Sequence, residues 1–220
     1  PLRAVALTSV TPDSLRGGTD ALSIPSLDEF GLEVPASFGS TEQVMKRLEA
    51  LYSSAGDDMA LAGQETLAVL RQLNEELAKP AALNAQYPSS NLALSLSQVS
   101  RLIKADLGMQ VACVDMGGWD THVVQGGSTG LHASLLADLG ASLSAFLSDL
   151  GSVKDRVTVV VQTEFGRRVA ENSGLGTDHG RGSILFMLGG GVAGGKVHGR
   201  WPTLGELDGP GDLIVTTDYR

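Results

Sequence analysis

The sequence has few of the residues that mark disulfide-rich, nucleic-acid-binding or membrane-spanning proteins. Cys113 is its only cysteine, which excludes an intrachain disulfide framework. Its 16 Lys and Arg face 25 Asp and Glu, a net charge of −9. No cluster of basic residues is present, so we expect no nucleic acid partner, because neutralising phosphates requires clustered positive charge. No uninterrupted apolar run reaches the roughly 20 residues of a membrane helix, so we also expect no membrane span.

The sequence also gives no support for a dinucleotide site, a serine hydrolase or a reactive cysteine. The glycines at 189–191 and 194–195 lack the strand-into-helix context that a dinucleotide site needs, so we expect turns there. We also expect no serine-hydrolase nucleophile elbow, the G-x-S-x-G turn between a strand and a helix. Cys113 stands in an apolar strand-like stretch, which is typical of a buried structural thiol.

Chemistry-bearing residues concentrate in the second half of the chain. Of 28 glycines, 22 follow residue 100, together with all four histidines and both tryptophans. We therefore interpret residues 1–220 as a single, partial domain in which 1–107 form strand, turns and a helical layer, and 108–220 form the half that bears the site. The chain length is that of one domain.

Hydrophobic periodicity predicts alternating helices and strands. Ser40 and Gln43 form a capping box before a helical pair over 41–79, which we expect to break at 56–58. Further helices are predicted over 94–107 and 131–150, and buried strands over 109–115, 157–162 and 183–188. A strand, a long helix and a strand in succession indicate a right-handed crossover. The predicted class is α/β, a mostly parallel sheet between helical layers.

Three polar, glycine-bearing loops follow or precede these strands, and the carboxyl edge of a parallel sheet collects ligand sites. Asp120 and His122 are two residues apart, so both side chains point the same way on extended backbone. Asp178 and His179 are adjacent and point apart, which suits two neighbouring ions. With Glu164, this mixture of carboxylates and imidazoles favours zinc, with manganese or iron as alternatives, over calcium. The same residues could instead cap loops, and Glu164 could form an ion pair with Arg167.

The motifs at 118–122 (GWDTH), 163–167 (TEFGR) and 176–180 (GTDHG) look like those of the bacterial DUF1501 family. The resemblance continues through 189–190 and 199–202 to 217–220. That family is similar to the alkaline phosphatase and sulfatase superfamily, which implies an alkaline-phosphatase-like fold. By this resemblance Asp120, His122 and His179 would bind one metal, and Glu164 the other. Phe165 stands where the superfamily has a histidine ligand.

The resemblance implies a metal-dependent hydrolase of phosphate or sulfate esters, with a small anionic ester as substrate. Arg167 is then the predicted catalytic donor, because a guanidinium offers forked hydrogen bonds to a tetrahedral anion. The alternative is a catalytically inactive binding or assembly protein that keeps the fold. A third interpretation is a structural fragment whose Asp and His residues only cap loops.

The resemblance also sets expectations about what lies outside this sequence. We expect the domain to be incomplete at both ends, with the nucleophile in a missing N-terminal half. That half or another chain would complete the fold. Members of the family often carry a twin-arginine export signal, which implies a periplasmic or secreted protein, although no signal is visible in this sequence.

Overall fold

The computed structural model describes residues 2–17, 21–28, 30–54, 56–79 and 83–218. The chain divides into two compact units. The first unit comprises Pro1–Leu83 and Leu94–Asp115, and the second unit comprises Asn84–Ala93 and Met116–Arg220.

Four α-helices lie within the described residues: α1 Thr41–Ser54, α2 Asp58–Leu77, α3 Asn91–Lys104 and α4 Leu131–Leu150. Short 3-10 turns occur at Asp13–Leu15, Ala36–Phe38 and Gly151–Arg156. The predicted capping box is confirmed, since the Ser40 amide donates to Gln43 Oε1 and the Gln43 amide donates to Ser40 Oγ. Asp57 caps α2 by accepting from the Ala60 amide at 2.8 Å. The Asp57 cap explains why α2 begins at the break that the sequence predicts.

The strands are β1 Ala4–Ala6, β2 Ala21–Ser23, β3 Val111–Cys113, β4 Thr158–Val161, β5 Gly166–Arg167, β6 His179–Gly180 and β7 Phe186–Gly189. The first unit holds a parallel sheet in the order β2-β1-β3, with Ala4 paired to Ala21 and to Val111. All three residues of the central strand β1 are buried. The predicted α/β class is confirmed at this level.

Helices α2 and α3 supply much of the apolar core of the first unit. Its buried side chains include Leu67 and Leu73 of α2, and Leu96, Val99 and Leu102 of α3. The α2 C-terminus is closed by Arg101, which donates to the carbonyls of Glu76 and Leu77 at 3.0 and 2.6 Å. A helix end leaves such carbonyls without partners, so this arginine has a structural role. Pro80, which directly follows the helical pair predicted over 41–79, lies outside the described residues.

Two expectations about the strands are wrong. β3 is only three residues long, and Val111 is 45% exposed, whereas we predicted a longer strand covered on both faces. β4 pairs antiparallel with β7, and β5 pairs antiparallel with β6, so the described strands do not form one mostly parallel sheet. Gly189 permits the β4–β7 register because a Cβ there would stand 2.1 Å from the Val157 carbonyl oxygen.

The helical segment Leu131–Arg156 is long and apolar enough to cross a membrane, judged by length and composition alone. A core helix of a soluble protein can satisfy the same criterion. The expected absence of a membrane span therefore stays a prediction.

Candidate metal centre

Three side chains in the second unit place their ligand atoms within 4.8 Å of one another: Asp120, His122 and His179. Asp120 Oδ1 lies 2.7 Å from His122 Nδ1 and 2.7 Å from His179 Nε2. One carboxylate oxygen therefore faces two imidazole nitrogens. The three side chains are 41 to 61% exposed, so the cluster is open to small solutes.

Backbone alternation brings Asp120 and His122 together, as the sequence predicts. Thr121, between them, is only 2% exposed and lies on the buried side of the segment. The segment continues to Val123, which forms an isolated antiparallel bridge with Leu175. Residues 121–125 thus run alongside the loop that leads into His179.

The loops pack in backbone contact at glycines. A Cβ at Gly176 would stand 2.3 Å from the His122 carbonyl oxygen, and one at Gly180 would stand 2.7 Å from the carbonyl carbon of Arg167. Side chains do not approach backbone so closely. Gly176 and Gly180, the first and last residues of the 176–180 motif, are therefore required for the close packing that brings the ligands together.

Arg167, the predicted catalytic residue, lies on β5 and is directed at backbone groups of the two ligand-bearing loops. Nη1 donates to the Thr177 carbonyl and Nη2 to the Trp119 carbonyl. Nη2 also lies 3.3 Å from Asp120 Oδ1. The ion pair of Arg167 is thus with Asp120, and not with Glu164 as in the alternative interpretation of the sequence. This guanidinium joins loops in the structure, and its role as an anion donor stays a prediction.

Phe165 has a role that the sequence analysis did not find. Its ring stacks on the His179 imidazole with centroids 3.9 Å apart and planes at 12°. The Arg167 guanidinium lies 4.9 Å from the Phe165 ring centroid, within cation–π range. Phe165 therefore supports the orientation of His179. The only sequence signal was its place beside the strand-end Glu164.

Asp178 and Glu164 lie outside the three-residue cluster. Asp178 Oδ1 is 3.9 Å from His122 Nε2 and accepts a 2.8 Å hydrogen bond from Asn172 Nδ2. Asn172 Oδ1 in turn accepts from the Gly174 amide at 2.8 Å. Glu164 is exposed. The cluster thus provides three ligands for one ion, and metal roles for Asp178 and Glu164 stay predictions.

The neighbours of Asp120 favour its ionised form. The hydrogen bond with His179 is the largest cause of the lowered pKa of Asp120. Desolvation opposes it, and the nearby His122, His179 and Arg167 lower the pKa further. An ionised carboxylate is the form that binds a cation. The lowered pKa of Asp120 therefore favours the form of this side chain that can bind a metal ion.

The other two histidines do not join the cluster. His132 makes an edge contact with Trp119 at 5.6 Å between centroids, which supports packing as the role of Trp119. His198 is exposed. Neither belongs to the described group of converging ligands.

The residue pattern G-x-S-x-G occurs at residues 126–130, directly before α4. The expectation that this motif is absent from the sequence is therefore wrong. The elbow requires a strand that leads straight into the turn. Here the preceding strand, β3, ends at Cys113, and Ser128 is exposed. The described residues therefore do not form an elbow.

A sequence profile described as "Protein of unknown function (DUF1501)" matches residues 36–215. The match covers most of the chain, so the protein belongs to the DUF1501 family. It includes every residue of the cluster. No curated protein and no solved structure matches the chain significantly.

Proposed function

We propose that in this member of the DUF1501 family Asp120, His122 and His179 bind one divalent metal ion, with zinc the first candidate, and that the site hydrolyses a phosphate or sulfate ester. The observation that carries the proposal is the convergence of the three ligand atoms within 4.8 Å. Two imidazoles and one carboxylate are a ligand set of catalytic zinc sites, which keep a further position open.

The ligand atoms fit a zinc ion if the distances from Asp120 Oδ1 to the two imidazoles increase slightly. Ligands about 2.1 Å from a tetrahedral zinc ion stand about 3.4 Å apart. The 2.7 Å separations from Asp120 Oδ1 to the two rings are shorter. Each ring must therefore move away from Asp120 by roughly 0.7 Å to admit an ion, and the exposure of the side chains leaves room for this movement.

The residues of the chain would bind and orient. Asp120, His122 and His179 would hold the ion, and Phe165 would keep the His179 ring in place through the 3.9 Å stack. Asp178 is the nearest further carboxylate, 3.9 Å from His122 Nε2. When bound, a divalent ion supplies Lewis-acid polarisation of an ester oxygen. An alkaline-phosphatase-like fold, a small anionic ester substrate and export from the cytoplasm belong to the same proposal.

A second candidate is a binding or assembly protein without catalytic activity. It is favoured by Arg167, whose two terminal nitrogens both donate to backbone carbonyls. An arginine used in this way has fewer donors left for a tetrahedral anion. Phe165 at the position expected for a further ligand favours the same candidate.

The metal content of the purified protein tests the first step. We expect about one equivalent of zinc, manganese or iron by plasma mass spectrometry, and its loss in an Asp120→Ala, His179→Ala double variant. His198→Ala is the matched control, because His198 is exposed and outside the cluster. Equal metal content in the parent and the double variant would refute the site.

Hydrolysis separates the two candidates. With the metal bound, p-nitrophenyl phosphate and p-nitrophenyl sulfate are tested with the parent and the double variant. Turnover that is lost in the double variant supports the hydrolase. Metal binding without turnover of either ester by the protein supports the inactive binding protein.

A further inference from the structure

Behind the metal cluster, one side-chain oxygen joins the two segments that carry the ligands. Gln125 Oε1 accepts hydrogen bonds from Thr121 Oγ1 at 2.9 Å and from Thr177 Oγ1 at 2.7 Å. Thr121 lies between Asp120 and His122, and Thr177 lies two residues before His179. We propose, resting on the function proposed above, that Gln125 is the positioning residue that sets the spacing of His122 and His179.

The side-chain bonds are the tighter connection close to the ligands. The backbone bond from the Thr177 amide to the Thr121 carbonyl is 3.4 Å long, beyond the usual range for N–H···O bonds. The shorter backbone bonds, from Val124 to Gly174 and from Gln125 to Leu175, are both 2.9 Å. They lie further along the first segment, past His122. Near the ligands, register therefore depends on side chains, namely Gln125 through the two threonine hydroxyls and Arg167 through the Thr177 and Trp119 carbonyls.

Burial makes this connection sensitive to substitution. Thr121 is 2% exposed, so its hydroxyl has little access to water, and its other acceptor, the Trp119 carbonyl, is 3.5 Å away. A buried hydroxyl left with only so long a bond is unfavourable. Removing Gln125 Oε1 would therefore shift the Thr121 segment, and Asp120 and His122 would move with it.

The backbone of Gln125 adds to the same function. Its amide donates to the Leu175 carbonyl, and its carbonyl accepts from the His132 amide at 3.1 Å. His132 lies in the first turn of α4. Gln125 is thus fixed to a 20-residue helix while its side chain holds both loops, as expected of a group that positions metal ligands from behind.

The test compares Gln125→Leu with the parent chain in two measurements. In long-range ¹H–¹⁵N spectra of the metal-free protein, we expect the His122 and His179 imidazole signals to move and those of His198 to stay. In calorimetric titration with zinc, we expect affinity about 10- to 100-fold lower, the usual effect of losing a group that supports metal ligands. Gln162→Leu is the matched control, because Gln162 is exposed.

Thr177→Val and Thr177→Ser decide the question if Gln125→Leu does not fold. Valine keeps the shape of threonine without the hydroxyl, and serine keeps the hydroxyl. We expect valine to reproduce the imidazole shifts and serine to restore the parent spectrum.

The outcomes separate this inference from the proposed function. Unmoved His122 and His179 signals in folded Gln125→Leu, or in Thr177→Val where only that variant folds, would overturn the positioning role whatever zinc does. Moved signals in a protein whose parent binds no zinc would support the positioning role and refute the metal site.

Discussion

Within the described residues, the first unit buries more apolar side chains than the second unit does. The first unit buries apolar side chains from its sheet and helices, among them Val5, Ile24, Leu27 and Leu73 at 1% exposure or less. The apolar residues buried in the second unit are Leu92, Ala93, Ala145, Phe146 and Leu150, which belong to α3 and α4. Around the metal cluster, the residues that the structure describes as buried are the polar Thr121 and glycines such as Gly166 and Gly176.

Hydrogen bonds and glycine contacts hold the site-bearing loops where an apolar core is lacking. Arg167 and Gln125 join the loops through their side chains, and Gly176 lets two backbones meet. An apolar core accepts substitutes of similar volume, whereas a hydrogen-bonded loop requires particular donors and acceptors. The first unit should therefore tolerate conservative changes that the second does not.

Two intrinsic probes together distinguish the units, since circular dichroism includes α4 of the second unit as well as α1 and α2, whereas tryptophan fluorescence is confined to the second unit. Both tryptophans, Trp119 and Trp201, lie in the second unit, so tryptophan fluorescence reports on that unit. Helices α1 and α2 lie in the first unit and contribute to far-ultraviolet circular dichroism.

Leu73→Ala should have the largest effect, on the first unit. Leu73 is fully buried on α2, and removing such a side chain costs about 2 to 5 kcal/mol of unfolding free energy. Urea denaturation followed by circular dichroism measures it. Leu61→Ala on the same helix is the control, because Leu61 is 59% exposed. Similar losses in both variants would contradict an apolar core at Leu73.

Gly176→Ala should destabilise the second unit. The new methyl would overlap backbone atoms of Thr121 and His122 at 2.3 to 2.4 Å, and overpacking of this kind costs about 1 to 3 kcal/mol or more. Fluorescence-detected urea denaturation gives the loss. Gly127→Ala meets nothing within 4 Å and should leave the midpoint near that of the parent. A stable Gly176→Ala would show that the loops do not pack in backbone contact.

Arg167→Lys should have a smaller effect on the same loops. Lysine cannot reproduce the fork that reaches the Thr177 and Trp119 carbonyls. Leaving a carbonyl without its donor costs about 1 to 2 kcal/mol. Fluorescence should report the loss, and zinc affinity should fall with it. Arg200→Lys serves as the exposed control, and an equal response of the two variants would argue against the loop-joining role.

Asp208→Asn should have the smallest effect, a loss of stability that is present near neutral pH and disappears in acid. The amide of Asp212, and then Arg181, lower the pKa of Asp208 in the folded protein. Because the pKa of Asp208 is lower in the folded than in the unfolded protein, its ionisation stabilises the fold above the unfolded pKa of about 3.9. This stabilisation is lost as the pH falls through the folded pKa. The variant should therefore show a flatter loss of fluorescence-detected stability below about pH 4.

Glu206→Gln, an exposed change two residues away, is the control for that acid profile. Parallel acid profiles for the parent and Asp208→Asn would contradict a coupling of Asp208 to folding.

Local patterns predicted the helices well because caps and periodicity act over a few residues. The predicted helix over 131–150 coincides with α4, and Ser40 and Gln43 form their box before α1. Sheet pairing was predicted poorly, since it joins distant segments that the pattern of one strand cannot specify. β4 has the apolar residues of a buried parallel strand, yet its partner is the antiparallel β7.

For the candidate site, the sequence determined the ligand types and the pairing of Asp120 with His122, because side chains two residues apart on extended backbone share a side. The family resemblance predicted that His179 joins them, and the tertiary structure brings its ring to Asp120. Only the tertiary structure decided that Glu164 stays outside the cluster and that Phe165 stacks on His179. Those contacts join residues 14 to 59 positions apart. They depend on glycine contacts and shared hydrogen bonds between loops, which no local pattern encodes.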